Sequence, residues 1–143
     1  MAPGNADGAI VPHDDPVIDP RSSLVRYINP EYHLVFDENA GRFRIGSGAF
    51  SATSGDPFNG MSVDVGQLMT EAGLALFERT PRGFGAVEIG VGDARDLQLQ
   101  VGTDPLPGNP FHGQIWGVKS SKRAKLRRLV KGWLVPLDGI AIR

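Results

Sequence analysis

The chain of 143 residues contains no cysteine. That excludes disulfides, thiolate nucleophiles and zinc or iron–sulfur centres held by cysteine. Lysine is missing from residues 1–118; all four lysines fall between Lys119 and Lys131. No apolar run approaches the ~20 residues a membrane-crossing helix needs. The opening stretch, MAPGNADGAIVPHDDPVIDP, has neither the basic start nor the continuous apolar segment of a secretory signal. A cytoplasmic protein with no membrane contact is the expectation. G-x-x-x-x-G-K-[ST], G-x-G-x-x-G and G-x-S-x-G are also absent, so no cofactor is indicated.

What the chain does have is an uneven charge. Residues 1–118 hold seven arginines against fifteen acids, a balance of −8. Residues 119–143 hold eight basic groups against one acid, Asp138, a balance of +7. Such a split points to an anionic partner for the basic end, or to a basic helix lying against the acidic body.

The length suits one domain. Residues 1–20 hold four prolines and four aspartates and read as a flexible arm; residues 21–143 read as a single α+β domain. In the arm, His13-Asp14-Asp15 has metal-ligand types but no preformed site, so no metal is assigned. Ser23–Ile28 reads as a strand. Tyr32–Phe36 and Arg42–Ile45 read as a hairpin around Asp37–Gly41. Met61–Val65 leads toward an amphipathic helix over about Val65–Arg79, capped by Asp64 and weakened by Gly66 and Gly73. Ala86–Val91, Leu97–Val101 and His112–Val118 read as strands. Trp133–Val135 and Ile140–Ile142 are candidates to close the sheet. The expected architecture is a small, mostly antiparallel or mixed sheet with two principal amphipathic helices.

Three features carry chemistry. The first is a basic helix at about 120–132, capped by Ser120 or Ser121. Its binding residues are Lys119, Lys122, Arg123, Lys125, Arg127, Arg128 and Lys131. It has no internal acid at i, i+4, so its charges repel unless acids or an anion come from elsewhere. Nucleic acid or an acidic protein surface would serve; a solvated face balanced by the body is the competing reading. Trp133 is the one nearby aromatic and is assigned to the core, which argues against base stacking. The second is His112, just past a Pro-rich loop, a candidate acid or base or a structural loop cap. The third is the loop Gly46–Gly60, whose Ser47, Ser51, Thr53 and Ser54 can cradle a phosphate or simply connect.

Taken together, GRFRIGSGAFSATSGDPFNGMSVDV and VGTDPLPGNPFHGQIWG resemble a family of small, mostly uncharacterised bacterial proteins. The shared pattern is an Arg-Phe strand (Arg42-Phe43), Ser-x-Ala-Phe (Ser47 to Phe50), Met-Ser-Val (Met61 to Val63) and Asp-Pro-x-Pro-x-x-Pro-x-His (Asp104 to His112). It covers about residues 24–135 and implies no activity. A more distant likeness is to RES toxins and the ADP-ribosyltransferase-like fold. That likeness implies an enzyme acting on a nucleotide-like substrate, with Arg26 on phosphate, Ser47 in the Gly/Ser segment, Ser62 orienting the substrate and His112 as acid or base. Gln114 stands where that fold wants a glutamate, and its Gly-Gly-Arg-Trp-Asn stretch is absent.

The leading expectation is a small binding or accessory module whose basic helix engages an anionic macromolecule. The alternatives are that nucleotide-processing enzyme and a subunit of a homo- or hetero-oligomeric assembly, with the acidic body of one copy on the basic helix of another.

Overall fold

The computed structural model describes residues 10–143. The fold is α+β. Its strands are β1 (Ser23–Ile28), β2 (Leu34–Asp37), β3 (Arg42–Ile45), β4 (Met61–Val65), β5 (Gly85–Gly90), β6 (Gln100–Thr103), β7 (His112–Trp116) and β8 (Gly132–Val135). The helices are α1 (Gly66–Glu71), α2 (Val91–Asp96) and α3 (Ser120–Leu129), with a single 3-10 turn at Ser47–Phe50. Six strands form an antiparallel sheet in the order β6-β7-β4-β1-β5-β8, and β2 and β3 form a separate hairpin.

Strand alternation sorts the residues onto two faces. Leu24, Ile28, Val63, Val65, Val87, Ile89 and Ile115 belong to the main core, with Phe50 of the 3-10 turn and Leu126 and Val130 from α3 and its end. On the other face a smaller cluster joins Val25 and Ala86 to Met69 of α1. That face also carries the polar side chains of the candidate site.

Several expectations need correction. The helix drawn over Val65–Arg79 ends at Glu71. Gly73 has φ +81°, its N–H donates to Thr70 O at 3.0 Å and the Leu74 N–H donates to Met69 O at 2.9 Å. This is a Schellman stop, with Leu74 packed in the Met69 cluster. Asp64 does not cap α1; the residue before the helix is Val65, with no side-chain cap. Of the three helices α3 is the longest at ten residues, and α1 and α2 are six residues each. Ile140–Ile142 does not join the large sheet. Ala141 bridges β3 instead: the Ile45 N–H donates to Ala141 O at 2.8 Å and the Ala141 N–H to Phe43 O at 3.2 Å. The LQLQV alternation holds in burial, but Gln98 sits at φ +65°, so the strand starts only at Gln100.

The described part of the arm is pinned to the domain. The Asp15 N–H donates to Val101 O (2.9 Å), and Asp14 Oδ1 accepts from the Val101 N–H (3.0 Å) and pairs with Arg95 Nε (3.0 Å). Arg95 also donates to the carbonyls of Ile18 and Asp15, and Ile18 is buried. This covers the outer edge of β6, which would otherwise expose unpaired backbone groups. His13 packs on Trp116 with centroids 4.8 Å apart, so His13 and Asp14 point to different partners rather than to one metal. The rest of the expected arm, residues 1–9, lies outside the described residues.

Candidate functional site

The α3 surface begins with its apolar stripe. Leu126 and Val130 are fully buried, and Ala124 and Leu129 are half-buried. Trp133 sits in β8, opposite Val87. Neither expected serine cap forms: Lys119 precedes the helix and no side chain caps it. The burial of that stripe, rather than a cap, therefore holds α3.

The cations follow from this placement. Lys119, Lys125, Arg128 and Lys131 are exposed; Lys122, Arg123 and Arg127 are half-buried. Lys122 Nζ donates to Leu97 O at 2.9 Å, and Arg127 Nη1 reaches Ile45 O at 3.5 Å. The Nε atoms of Arg123 and Arg127 are buried with no hydrogen-bond partner. Among the described residues, ion pairs join Arg21–Asp19, Arg44–Asp37, Arg79–Asp64, Arg95–Asp14 and His112–Asp104. None involves an α3 cation. Lys131 comes nearest to compensation: a Cβ placed on Gly90 would meet Asp93 Oδ2 at 2.9 Å and Lys131 Nζ at 3.3 Å. The competing picture of a helix balanced by the domain's own acids finds no direct pair here.

The second region is a cavity of about 150 Å³ on the opposite sheet face. It is bordered by Arg26, Tyr27, Ser62, Val63, Asp64, Asn109 and His112. Its origin is a parting of strands. β1 and β4 pair at Leu24↔Val65 and Val25↔Asp64, and then Arg26 Nη1 donates to Ser62 O at 2.9 Å in place of a backbone donor. Arg26 Nε donates to Ala49 O at 2.9 Å. Burial draws the Arg26 pKa down to about 10, still cationic at neutral pH.

Cross-strand register puts Val25, Asp64 and His112 on one face, with Ser62 and Gln114 beside them. Arg26 alternates to the other face, toward the 3-10 turn. Ser62 and His112 border the cavity from the same sheet face, whereas Arg26 borders it from a side chain turned to the other face, its guanidinium committed to two carbonyls.

Asp64 is the centre of the polar group, only 2 % exposed. It accepts from Tyr27 Oη (2.6 Å) and Asn109 Nδ2 (2.8 Å) and pairs with Arg79 Nε (3.5 Å). Burial, then the bond to Asp64, pushes the Tyr27 pKa above its usual value, which keeps the phenol a donor. His112 Nδ1 lies 2.7 Å from Asp104 O and 3.5 Å from Asp104 Oδ2. A carbonyl can only accept, so Nδ1 carries a proton. Gln114 Nε2 donates to the same Asp104 carboxylate at 3.0 Å.

Sequence reasoning missed Tyr27, Arg79, Asp104 and Asn109, and gave Asp64 the wrong role. The one available signal was an aspartate inside an otherwise apolar strand, Met61–Val65. The loop hydroxyls make local contacts: Ser51 Oγ donates to Gly48 O (2.5 Å) and Thr53 Oγ1 lies 3.4 Å from Ser62 Oγ. The Gly46 N–H is spent on His33 O at 2.9 Å and so does not face a ligand.

No protein-family model, curated protein or solved structure matches the chain. Among the described residues no helix is long and apolar enough to cross a membrane.

Proposed function

We propose that the protein is a small binding module of the cytoplasm whose α3 engages an anionic partner, nucleic acid or an acidic protein surface. The observation that supports this most is that α3 holds its cations without a single carboxylate within ion-pair distance among the described residues. Unmatched like charge along one helix raises the free energy of the unbound state. An anion relieves that repulsion and releases counterions when the partner is a polyelectrolyte. The test is binding of a duplex oligonucleotide and of an acidic peptide to the full chain. The expected result is affinity for at least one of them that is weakened by salt and by K119Q/K125Q. Binding to neither, or binding indifferent to salt, contradicts the reading.

The shared border of Arg26, Ser62 and His112 on one cavity favours a second reading, a nucleotide-processing enzyme. In it His112 Nε2 accepts a proton and Ser62 orients the substrate, while Arg26 holds the cavity wall rather than a phosphate. His112→Asn is expected to abolish turnover in a panel of nucleotides while the unfolding midpoint stays close to wild type. A wild-type protein that consumes none of them removes this reading.

A further inference from the structure

The C-terminal end of α3 meets β3 at a knot of arginines. Arg44 Nη1 donates to Ile45 O at 3.0 Å, and Arg127 Nη1 reaches the same oxygen at 3.5 Å, so two guanidinium groups share one neutral acceptor. Arg143 Nη1 donates to the carbonyls of Val130 (2.9 Å), Arg128 (3.2 Å) and Arg127 (3.4 Å), at the end of the same helix. Arg128 is exposed alongside. Among the described residues the one side-chain acid paired with this group is Asp37, 3.6 Å from Arg44 Nε. Its Oδ1 is already divided between the N–H groups of Asn39 and Ala40.

The helix macrodipole explains part of this arrangement. Arg143 satisfies carbonyls that α3 leaves open, where positive charge is favoured. It does not explain Arg44 and Arg127. Like charges have been brought to one carbonyl, and the Arg127 Nε is buried with no partner. Burial first, then Arg44, Arg128 and Arg143, lower the Arg127 pKa. The repulsion among these guanidinium groups is removed by one anion seated among their remaining N–H groups.

We propose that Arg44, Arg127 and Arg143 form a binding site for a single phosphate group, flanked by Arg128. Four arginines against one aspartate leave an excess of positive charge that a dianion offsets further than a carboxylate does. A phosphate also offers enough oxygens for several N–H forks, whereas a carboxylate has two. The proposal rests on the reading that α3 faces an anion, and deepens it by making phosphate the recognised group. That group can come from a small phosphorylated molecule or from a nucleic-acid backbone.

The probes are inorganic phosphate, acetate and a duplex oligonucleotide, each titrated into the full chain in phosphate-free buffer. The readouts are the Arg Nε–Hε resonances and the unfolding midpoint. Saturable phosphate binding that moves the Arg127 resonance is expected, weakened about 10-fold or more in R44Q and R127K and unchanged in R82Q. R127K keeps the charge and loses the fork, so it separates recognition from folding. An equal response to acetate overturns the phosphate assignment, as does a phosphate response unaffected by R44Q and R127K. Oligonucleotide binding lost in K119Q/K125Q but intact in R44Q, with no phosphate response, overturns this site and leaves the α3 reading standing. Phosphate binding without oligonucleotide or acidic-peptide binding supports the site, assigns it to a small phosphorylated molecule and removes the α3 reading.

Discussion

Asp64 lies at the centre of one sheet face, bonded by Tyr27 and Asn109 and paired with Arg79, three side chains from three separate segments. On the opposite side α3 carries cations that meet carbonyls or solvent but no carboxylate among the described residues. The difference lies in what each charge leaves unsatisfied. A buried carboxylate survives only when its lone pairs are filled from within. Cations at a surface tolerate incompleteness, because water supports them until a partner arrives. Asp64 therefore belongs to the account of stability, and α3 to the proposed binding.

The sharpest way to break this comparison is Asp64→Ala. It strands the Tyr27 hydroxyl, the Asn109 amide and the Arg79 guanidinium in a largely closed site. A loss of about 3–5 kcal/mol is expected in urea unfolding. A loss under about 1 kcal/mol would mean the network is not structural, and would move Asp64 into the enzyme reading.

Leu126→Ala comes next, with about 2–4 kcal/mol lost through an unfilled cavity beneath α3. It asks whether apolar burial anchors the helix. If the loss is small, charge rather than packing holds α3, and the contrast with Asp64 disappears. Neutralising Lys119, Lys125, Arg128 and Lys131 together to Gln is expected to change stability by no more than about 0.5 kcal/mol. Relief of repulsion offsets lost solvation, and binding falls sharply. Strong destabilisation would show that these charges are matched within the molecule.

The smallest effect concerns pH. Burial, then the nearby Arg26, pull the His33 pKa below its ordinary 6.5. Its Nδ1 accepts from the Asn29 N–H at 2.8 Å, which needs the neutral ring. The unfolded chain thus binds the proton more readily. The stability this group contributes is complete above about pH 6.5 and is lost as pH falls through the lower folded value. His33→Gln is expected to flatten the stability curve between pH 7 and 5; an unchanged slope would remove His33 from the account.

Much of the fold was legible because it is written in local periods. The hairpin of β2 and β3, the strands around Leu24, Val87 and Ile115, and the basic helix all follow from alternation or a 3.6-residue stripe. The end of α1 was not read correctly, because Gly73 looked like a weak helix residue and acts instead as the left-handed stop. The β6 start slipped for a similar reason at Gln98.

The candidate sites divide along the same line. α3 was visible from a charge count. The Asp64 network joins positions 27, 64, 79 and 109, and no local pattern connects residues that meet only after the sheet orders its strands β7-β4-β1. The pairing of Arg44 with Arg127 around Ile45 O is equally long-range. His112 was nominated as a lone imidazole, and its meaning came only with the partner Asp104 on Nδ1.

The most direct measurement is the affinity of the full chain for a duplex oligonucleotide, followed from about 50 to 200 mM salt. With the four exposed cations in and beside α3 on phosphates, a slope of log K against log salt near −3 to −4 is expected, falling toward zero in the quadruple Gln variant. A slope near zero in the wild type, or a slope unchanged in the variant, would contradict the claim that α3 keeps its charge for an external anion.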